Sequence, residues 1–312
     1  MTGKGGVGKT TLSCAVAHAA HKLGKRVCLV EVNPSPNLRY ILHREIPVYE
    51  EIFLEENFSV LTLEPFKAME EYIRLQVKLP GVARVIMNNP IVGYFLQSAP
   101  GWRELVTVGK IWYMQDQKSA RTQKPLYDLI VVDAPATGHG LSFLQVPAVF
   151  INIFRLGRMQ GQSKDLQAML TDPARTMVCV VTLPEEMAVN EAVTIIKTAQ
   201  ESLHIQPGVT FFNCMRTPLF DKNQEQDFEK LQNDPVALET LKGFFPDSGQ
   251  ALFETARARR SRAELSKYYQ DVVLEKIGGP IVSIPQIYPG RVDYDGVKEM
   301  SALILERVAD AS

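Results

Sequence analysis

The sequence predicts an α/β fold: a doubly wound, mostly parallel sheet with helical insertions that form a subdomain. Three observations carry this. Short runs rich in Val, Ile and Phe recur at residues 26–32, 58–63, 129–132, 177–183, 209–212 and 281–284. Longer stretches with helical spacing separate them, the alternation expected when both faces of a parallel sheet are covered. A glycine-rich loop at residues 3–11 opens directly into one of those helical stretches.

From the amino terminus, Gly3-Lys4-Gly5-Gly6-Val7-Gly8-Lys9-Thr10-Thr11 leads into a helical run at 12–23. A loop of this kind hangs from the carboxyl end of a buried strand, and Met1 and Thr2 leave no residues for one. An interior strand pairs on both sides, so its loss would strip partners from two ladders of backbone groups. An apolar, β-rich stretch upstream of Met1 is therefore expected. The strands at 26–32 and 58–63 follow. Residues 65–125 exceed a simple crossover, and Pro80, Pro90 and Pro100 divide them into helical pieces. The run at 129–132 reads as a buried strand ending in Asp133. After 177–183 and 209–212, residues 217–276 are charge-rich and helical, with Arg257, Arg259, Arg260 and Arg262 on what reads as a solvated helix face. Residues 65–125 and 217–276 are read as insertions in a single domain spanning 1–312, completed by the strand at 281–284.

Lys and Arg total 34 against 35 Asp and Glu, so no global charge argument favours nucleic acid or an anionic membrane. No run reaches the ~18 uninterrupted apolar residues of a membrane span, and the glycine-rich loop stands where a signal sequence would. A cytoplasmic protein, at most peripheral at a membrane, is expected. Cys14, Cys28, Cys179 and Cys214 are scattered, three of them in or beside apolar strand-like runs, and read as packing residues. Near the carboxyl end, Lys298 and Arg307 balance Glu299 and Glu306, which argues against a membrane- or DNA-positioning helix.

The loop has the spacing G-x-x-x-x-G-K-[ST]. Gly3, Gly5, Gly6 and Gly8, with Val7 between them, let backbone N–H groups converge on phosphates. Lys9 neutralises the β/γ charge, the Thr10 hydroxyl ligates Mg²⁺, and Thr11 continues the turn into the helix. ATP and Mg²⁺ are the expected ligands. Asp133, ending an apolar strand, is placed to stand near the same metal ion, usually through water.

Lys4 is an additional feature, because a lysine at the second loop position points away from its own nucleotide unless a partner loop faces it. The loop thereby resembles the deviant Walker A motif of ATPases that work as face-to-face dimers. That implies a homodimer in which Lys4 reaches the neighbour's phosphates, as an arginine finger does. The run from Asp133 through Thr137-Gly138-His139 to Pro147 closely resembles switch II of the ArsA-like family: ATPases that drive arsenical pumps, and relatives that deliver tail-anchored membrane proteins. The resemblance continues at Asp172-Pro173, Leu183-Pro184-Glu185, Phe211-Phe212-Asn213 and Ile284-Pro285, over most of the chain. It implies a P-loop ATPase that converts ATP and water to ADP and phosphate, with adenine held by Asn213 and Pro285. His139 is either a sensor of the γ-phosphate or a loop histidine bonded to backbone.

Switch I departs from the family's pattern. There a strand ends in S-T-D-P-A-H-N-L-S-D, and the last aspartate orients the attacking water. Here the stretch runs from Glu31 through Asn33 to Tyr40, which takes that aspartate's place. A phenol is a poor base at neutral pH. Either hydrolysis is slow, or another acid takes over, for which Glu31 is the candidate. The alternative to a working ATPase is a nucleotide-gated binding module with negligible turnover. Arsenite capture needs clustered thiolates, and residues 65–125 contain no cysteine; the zinc clamp of the tail-anchored-protein chaperones needs C-x-x-C, which is absent. What remains is an apolar helical region that includes Met69, Leu75, Val82, Met87, Phe95, Leu105, Val108, Ile111, Trp112 and Met114. It is either the core of the subdomain or a groove for a hydrophobic helix of a client or membrane partner.

Overall fold

The computed structural model describes every residue except 33, 78–80, 82–84, 87, 91–92, 95–99, 121, 154–156, 246–248, 288–291 and 311–312, and only the backbone of 137–140, 222, 249–250 and 309–310. The first elements are α1 (Lys9–Lys22), β1 (Val27–Val32), α2 (Pro36–Leu42), β2 (Glu51–Glu55), β3 (Phe58–Leu63), α3 (Pro65–Val77) and α4 (Trp102–Asp116). Then come β4 (Leu129–Asp133), α5 (Thr137–Ile153), α6 (Arg158–Thr171), β5 (Val178–Thr182) and α7 (Glu186–Lys197), which runs into a π-helical turn at Thr198–Ser202. The last are β6 (Pro207–Met215), α8 (Lys222–Asn233), α9 (Pro235–Phe244), α10 (Gly249–Ile277), β7 (Ile281–Pro285) and α11 (Tyr294–Asp310).

β1 explains the doubly wound arrangement. All six of its residues are buried, between β3 and β4, both parallel to it. Successive side chains of a strand point to opposite faces. Val27 and Leu29 accordingly enter one core with Leu12, Ala15 and Ala19 of α1 and Val297, Met300 and Ile304 of α11. Cys28, Val30 and Val32 enter the other with Val108 and Ile111 of α4, Leu166 and Met169 of α6, and Ile195 of α7. Apart from Glu31 the run is apolar without alternation, because neither face meets water.

The strand order is β2-β3-β1-β4 in one part of the sheet and β5-β6-β7 in the other. β2 is antiparallel to β3; the other pairings are parallel. Met1 and Thr2 lie in the seam. The Met1 amino group donates to Val132 O at 2.8 Å, and Ala134 N donates to Met1 O at 3.0 Å. On the other side Thr2 N donates to Cys179 O at 2.9 Å and Val181 N to Thr2 O at 2.8 Å. These two residues therefore occupy the place between β4 and β5 where the sequence calls for the strand before the loop.

Within residues 65–125, α3 and α4 pack on each other and α4 packs on α5 and α6. Residues 217–276 hold α8, α9 and α10, with α8 begun by a capping box between Asp221 and Gln224. The arginine cluster is partly paired: Arg260 reaches Glu229 at 2.9 Å and Glu264 at 3.0 Å, as a solvated helix face would. Cys14 and Cys28 are buried, and burial pushes both thiols up to about 12, so neither is a thiolate at neutral pH. Among the described residues no helix is long and apolar enough to cross a membrane.

Candidate nucleotide site

The site forms where the loop turns into α1. Gly8 is the N-cap, left-handed at φ 93, and offers no side chain to the first-turn N–H groups; the first turn also contains no acid. Those donors and the positive end of the helix dipole are thus left for an anion. At the other end of the loop Gly3 has φ 148, and a Cβ there would lie 2.2 Å from Val181 O, so only glycine fits against β5. Gly5 and Gly6 are exposed and open, with nothing near a built Cβ.

Four predicted residues come together here. Lys9 Nζ donates to Lys4 O at 2.8 Å. Burial pushes the Lys9 ammonium down, against the opposing pull of Asp133 and Glu191. Thr10 Oγ1 donates to Asp133 Oδ2 at 2.7 Å. Ser13, one turn further along α1, donates to Asp133 Oδ1 at 3.3 Å. Burial pushes the Asp133 carboxyl up, while Thr10 and the charges of the Met1 amino group and Lys9 hold it down. A hydroxyl beside a buried carboxylate is an oxygen donor set suited to Mg²⁺, and among the described residues no cluster of three or more His, Cys, Asp or Glu is present to cage another ion. Thr10 and Asp133 fit a Mg²⁺ held mainly by phosphates and water.

Glu31 stands one strand away, in register with Asp133 and with Thr62 of β3. It is 3% exposed. It accepts from Ser35 Oγ at 2.7 Å, Ser35 N at 3.3 Å and Thr62 Oγ1 at 3.1 Å. Burial pushes its carboxyl up, and those donors only partly counter it. Ser35 is the N-cap residue of α2, so Glu31 ties the start of that helix to the sheet. Tyr40 lies on α2 and is 67% exposed; Asn33 lies outside the described residues.

Asn213, near the carboxyl end of β6, is buried. Its Nδ2 donates to Val7 O at 2.9 Å, and its Oδ1 accepts from Cys214 N at 2.9 Å. Pro285 ends β7, paired with Met215 of β6, so both residues named for adenine sit at the carboxyl ends of neighbouring strands. The Thr137-Gly138-His139 run, expected as loop, is the first turn of α5 in the structure, and the His139 side chain lies outside what is described. Sequence reasoning missed Ser13, Ser35 and Thr62. Ser13 carried a weak signal, being one turn after Lys9 on the same helix; Thr62 became a neighbour only through strand register.

Residues 1–162, which include the loop, Glu31, Asp133 and the first part of the subdomain, match the model of the anion-transporting ATPase family. The chain belongs to that family. The chain is 29% identical to the ATPase BagA of Mycobacterium tuberculosis (strain ATCC 25618 / H37Rv) over 328 residues, covering 98% of this chain and 92% of that protein. It is 26% identical to an arsenical pump-driving ATPase of Escherichia coli over 264 residues, covering 77% of this chain and 44% of that protein. The match to BagA extends beyond the loop to nearly the full length of both chains, whereas this chain spans less than half of the Escherichia coli relative. The fold of this family member is thus the α/β sheet with flanking helices that its strand runs predict.

Proposed function

We propose that the protein binds Mg-ATP and hydrolyses it as a face-to-face homodimer, using nucleotide-dependent geometry to control a partner. The observation that carries this is the meeting of Lys9, Thr10 and Asp133 at the uncapped start of α1. The loop N–H groups and Lys9 bind the phosphates, and Thr10 and Asp133 hold Mg²⁺, which supplies charge neutralisation on the phosphates. Lys4 serves the facing protomer. Glu31 orients the attacking water, because it stands in register with Asp133 on the neighbouring strand and burial raises the basicity of its carboxylate.

A partner of apolar character is supported by a cavity of about 340 Å³ between α3, α4, α5 and α6. Met69, Leu75, Leu105 and Trp112 line it, whereas Val108, Ile111 and Met114 are packed into the core. Val82, Met87 and Phe95 lie outside the described residues. The name of the Escherichia coli relative, which drives a pump, makes a membrane protein one candidate for such a partner. Nucleic acid is not expected as one.

One observation favours the second reading, a nucleotide-gated binding module. The three donors at 2.7–3.3 Å that hold Glu31 compete with any role in activating water. Steady-state phosphate release separates the two readings. Turnover that exceeds the Lys9→Ala variant supports the ATPase, and turnover equal to it supports the module. Light scattering with Mg-ADP and aluminium fluoride tests the dimer: a mass that stays at that of one chain removes the role given to Lys4.

A further inference from the structure

A phosphate loop works by turning its N–H groups inward, so its carbonyls face outward and, where buried, need donors of their own. Val7 is 1% exposed. The donor to its carbonyl is Asn213 Nδ2 at 2.9 Å, 206 residues away in sequence and on the other part of the sheet.

The amide is held in one orientation. Asn213 Oδ1 accepts from the N–H of Cys214 at 2.9 Å, a contact made with Cys214 in the left-handed region at φ 55, uncommon for a residue with a side chain. Turning the amide over would set Oδ1 against the Val7 carbonyl and Nδ2 against the Cys214 N–H, two contacts between like groups. The loop makes room for this amide. A Cβ on Gly8 would lie 2.3 Å from Asn213 Nδ2, so the side chain of Asn213 fills the space that glycine leaves immediately before Lys9.

We infer that Asn213 is a positioning residue for the phosphate loop: it holds the Val7 carbonyl outward so that the N–H groups from Gly8 onward converge on the phosphates. This rests on the nucleotide reading of the site and goes beyond contact with the base. A residue that only touched adenine would have no effect on a ligand lacking adenine. A residue that shapes the loop acts on any triphosphate.

The test compares affinities for Mg-ATP and for Mg-tripolyphosphate in the wild type, Asn213→Asp and Asn213→Ala, measured well below each variant's melting temperature. The alanine removes the donor to Val7 without adding charge and decides the question; the aspartate keeps the volume and the acceptor for Cys214 N, and any further loss it shows beyond the alanine measures the repulsion of a carboxylate beside the phosphates. The expected result is a loss of about tenfold or more for Mg-tripolyphosphate and at least as large a loss for Mg-ATP, the size associated with a lost buried hydrogen bond. Weakening of ATP alone makes Asn213 a base contact only and overturns the inference. So does a lowered melting temperature with both affinities unchanged, the signature of a purely structural role. Wild-type protein that binds neither ligand defeats the nucleotide reading itself, and the wild-type arm shows this before any variant is made.

Discussion

Thr10 and Asp133 meet at 2.7 Å, hydroxyl to carboxylate, although 123 residues separate them. The parallel pairing of β4 with β1 makes this contact, because it brings the end of β4 beneath the start of α1. A carboxylate buried at that point is costly unless positive charge shares the space, which the Met1 amino group and Lys9 supply.

Asp133→Asn keeps the shape and removes the charge. We expect the melting temperature to hold or rise, because a buried carboxylate is relieved, and ATP turnover to fall by roughly a hundredfold or more, as for loss of a metal-side group. The dependence of ATP affinity on Mg²⁺ should weaken in parallel. A titration of Mg²⁺ at fixed ATP checks this; an unchanged Mg²⁺ dependence takes Asp133 out of the metal site.

The loop glycines should divide into two kinds. Gly3→Ala puts a methyl 2.2 Å from Val181 O at φ 148 and is expected to cost about 2–4 kcal/mol in denaturant unfolding. Gly5→Ala meets nothing within 4 Å and should change stability by less than about 0.5 kcal/mol. Equal costs at the two positions would contradict the close approach of Gly3 to β5.

Glu31→Gln retains an oxygen for Ser35 and an amide that can donate to Thr62, so folding should survive. If Glu31 orients the attacking water, turnover falls by about 10²-fold or more, with ATP affinity nearly unchanged. Turnover equal to wild type assigns Glu31 to anchoring α2 alone.

Acid should destabilise the protein in two steps. His18 is buried, with Nδ1 at 2.9 Å from Ser301 Oγ and Nε2 at 3.5 Å from Glu55. Burial pushes the imidazole down, opposed by Glu55 and reinforced by Lys22, His21 and Lys298. A base whose pKa is lower folded than unfolded holds fewer protons when folded, so stability is lost as pH falls through about 6.5. Glu55 behaves as the usual carboxylate. Burial raises it, but the Tyr294 hydroxyl and Lys22 prevail and hold it at about 2. Its contribution is present above the unfolded value of about 4.3 and disappears as pH falls toward 2. Urea midpoints at pH 7.5 and 5.5 check the first step, which His18→Gln should flatten.

The parallel strands were legible because burial on both faces forces continuous apolar runs, and those runs lie within about one residue of the observed bounds at β1, β3, β5 and β7. β2 was not. Its apolar Ile52, Phe53 and Leu54 are bracketed by Glu51 and Glu55, and an edge strand that is half exposed has no need of a longer run. The loop residues Lys9 and Thr10 could be read from spacing alone, since their neighbours in space are their neighbours in sequence. The contacts of Asn213 with Val7, of Glu31 with Thr62 and of Ser13 with Asp133 could not, because each is created by strand register or helix placement across the sheet. The helical first turn at Thr137 was hidden for a different reason: glycines at 138 and 140 signal a loop in isolation, and tertiary packing overrides that weak preference.

The seam between β4 and β5 has one further consequence. Few backbone bonds cross it, yet α1 lies over both sides, sharing a core with Val27 and Leu29 of β1 and with Val181, Phe211 and Ile284 of β5, β6 and β7. A ligand gripped at the start of α1 therefore loads both plates of the sheet through a single beam. Nucleotide should accordingly brace the whole α/β body at once and move one cooperative melting step as a unit, in proportion to the logarithm of its concentration.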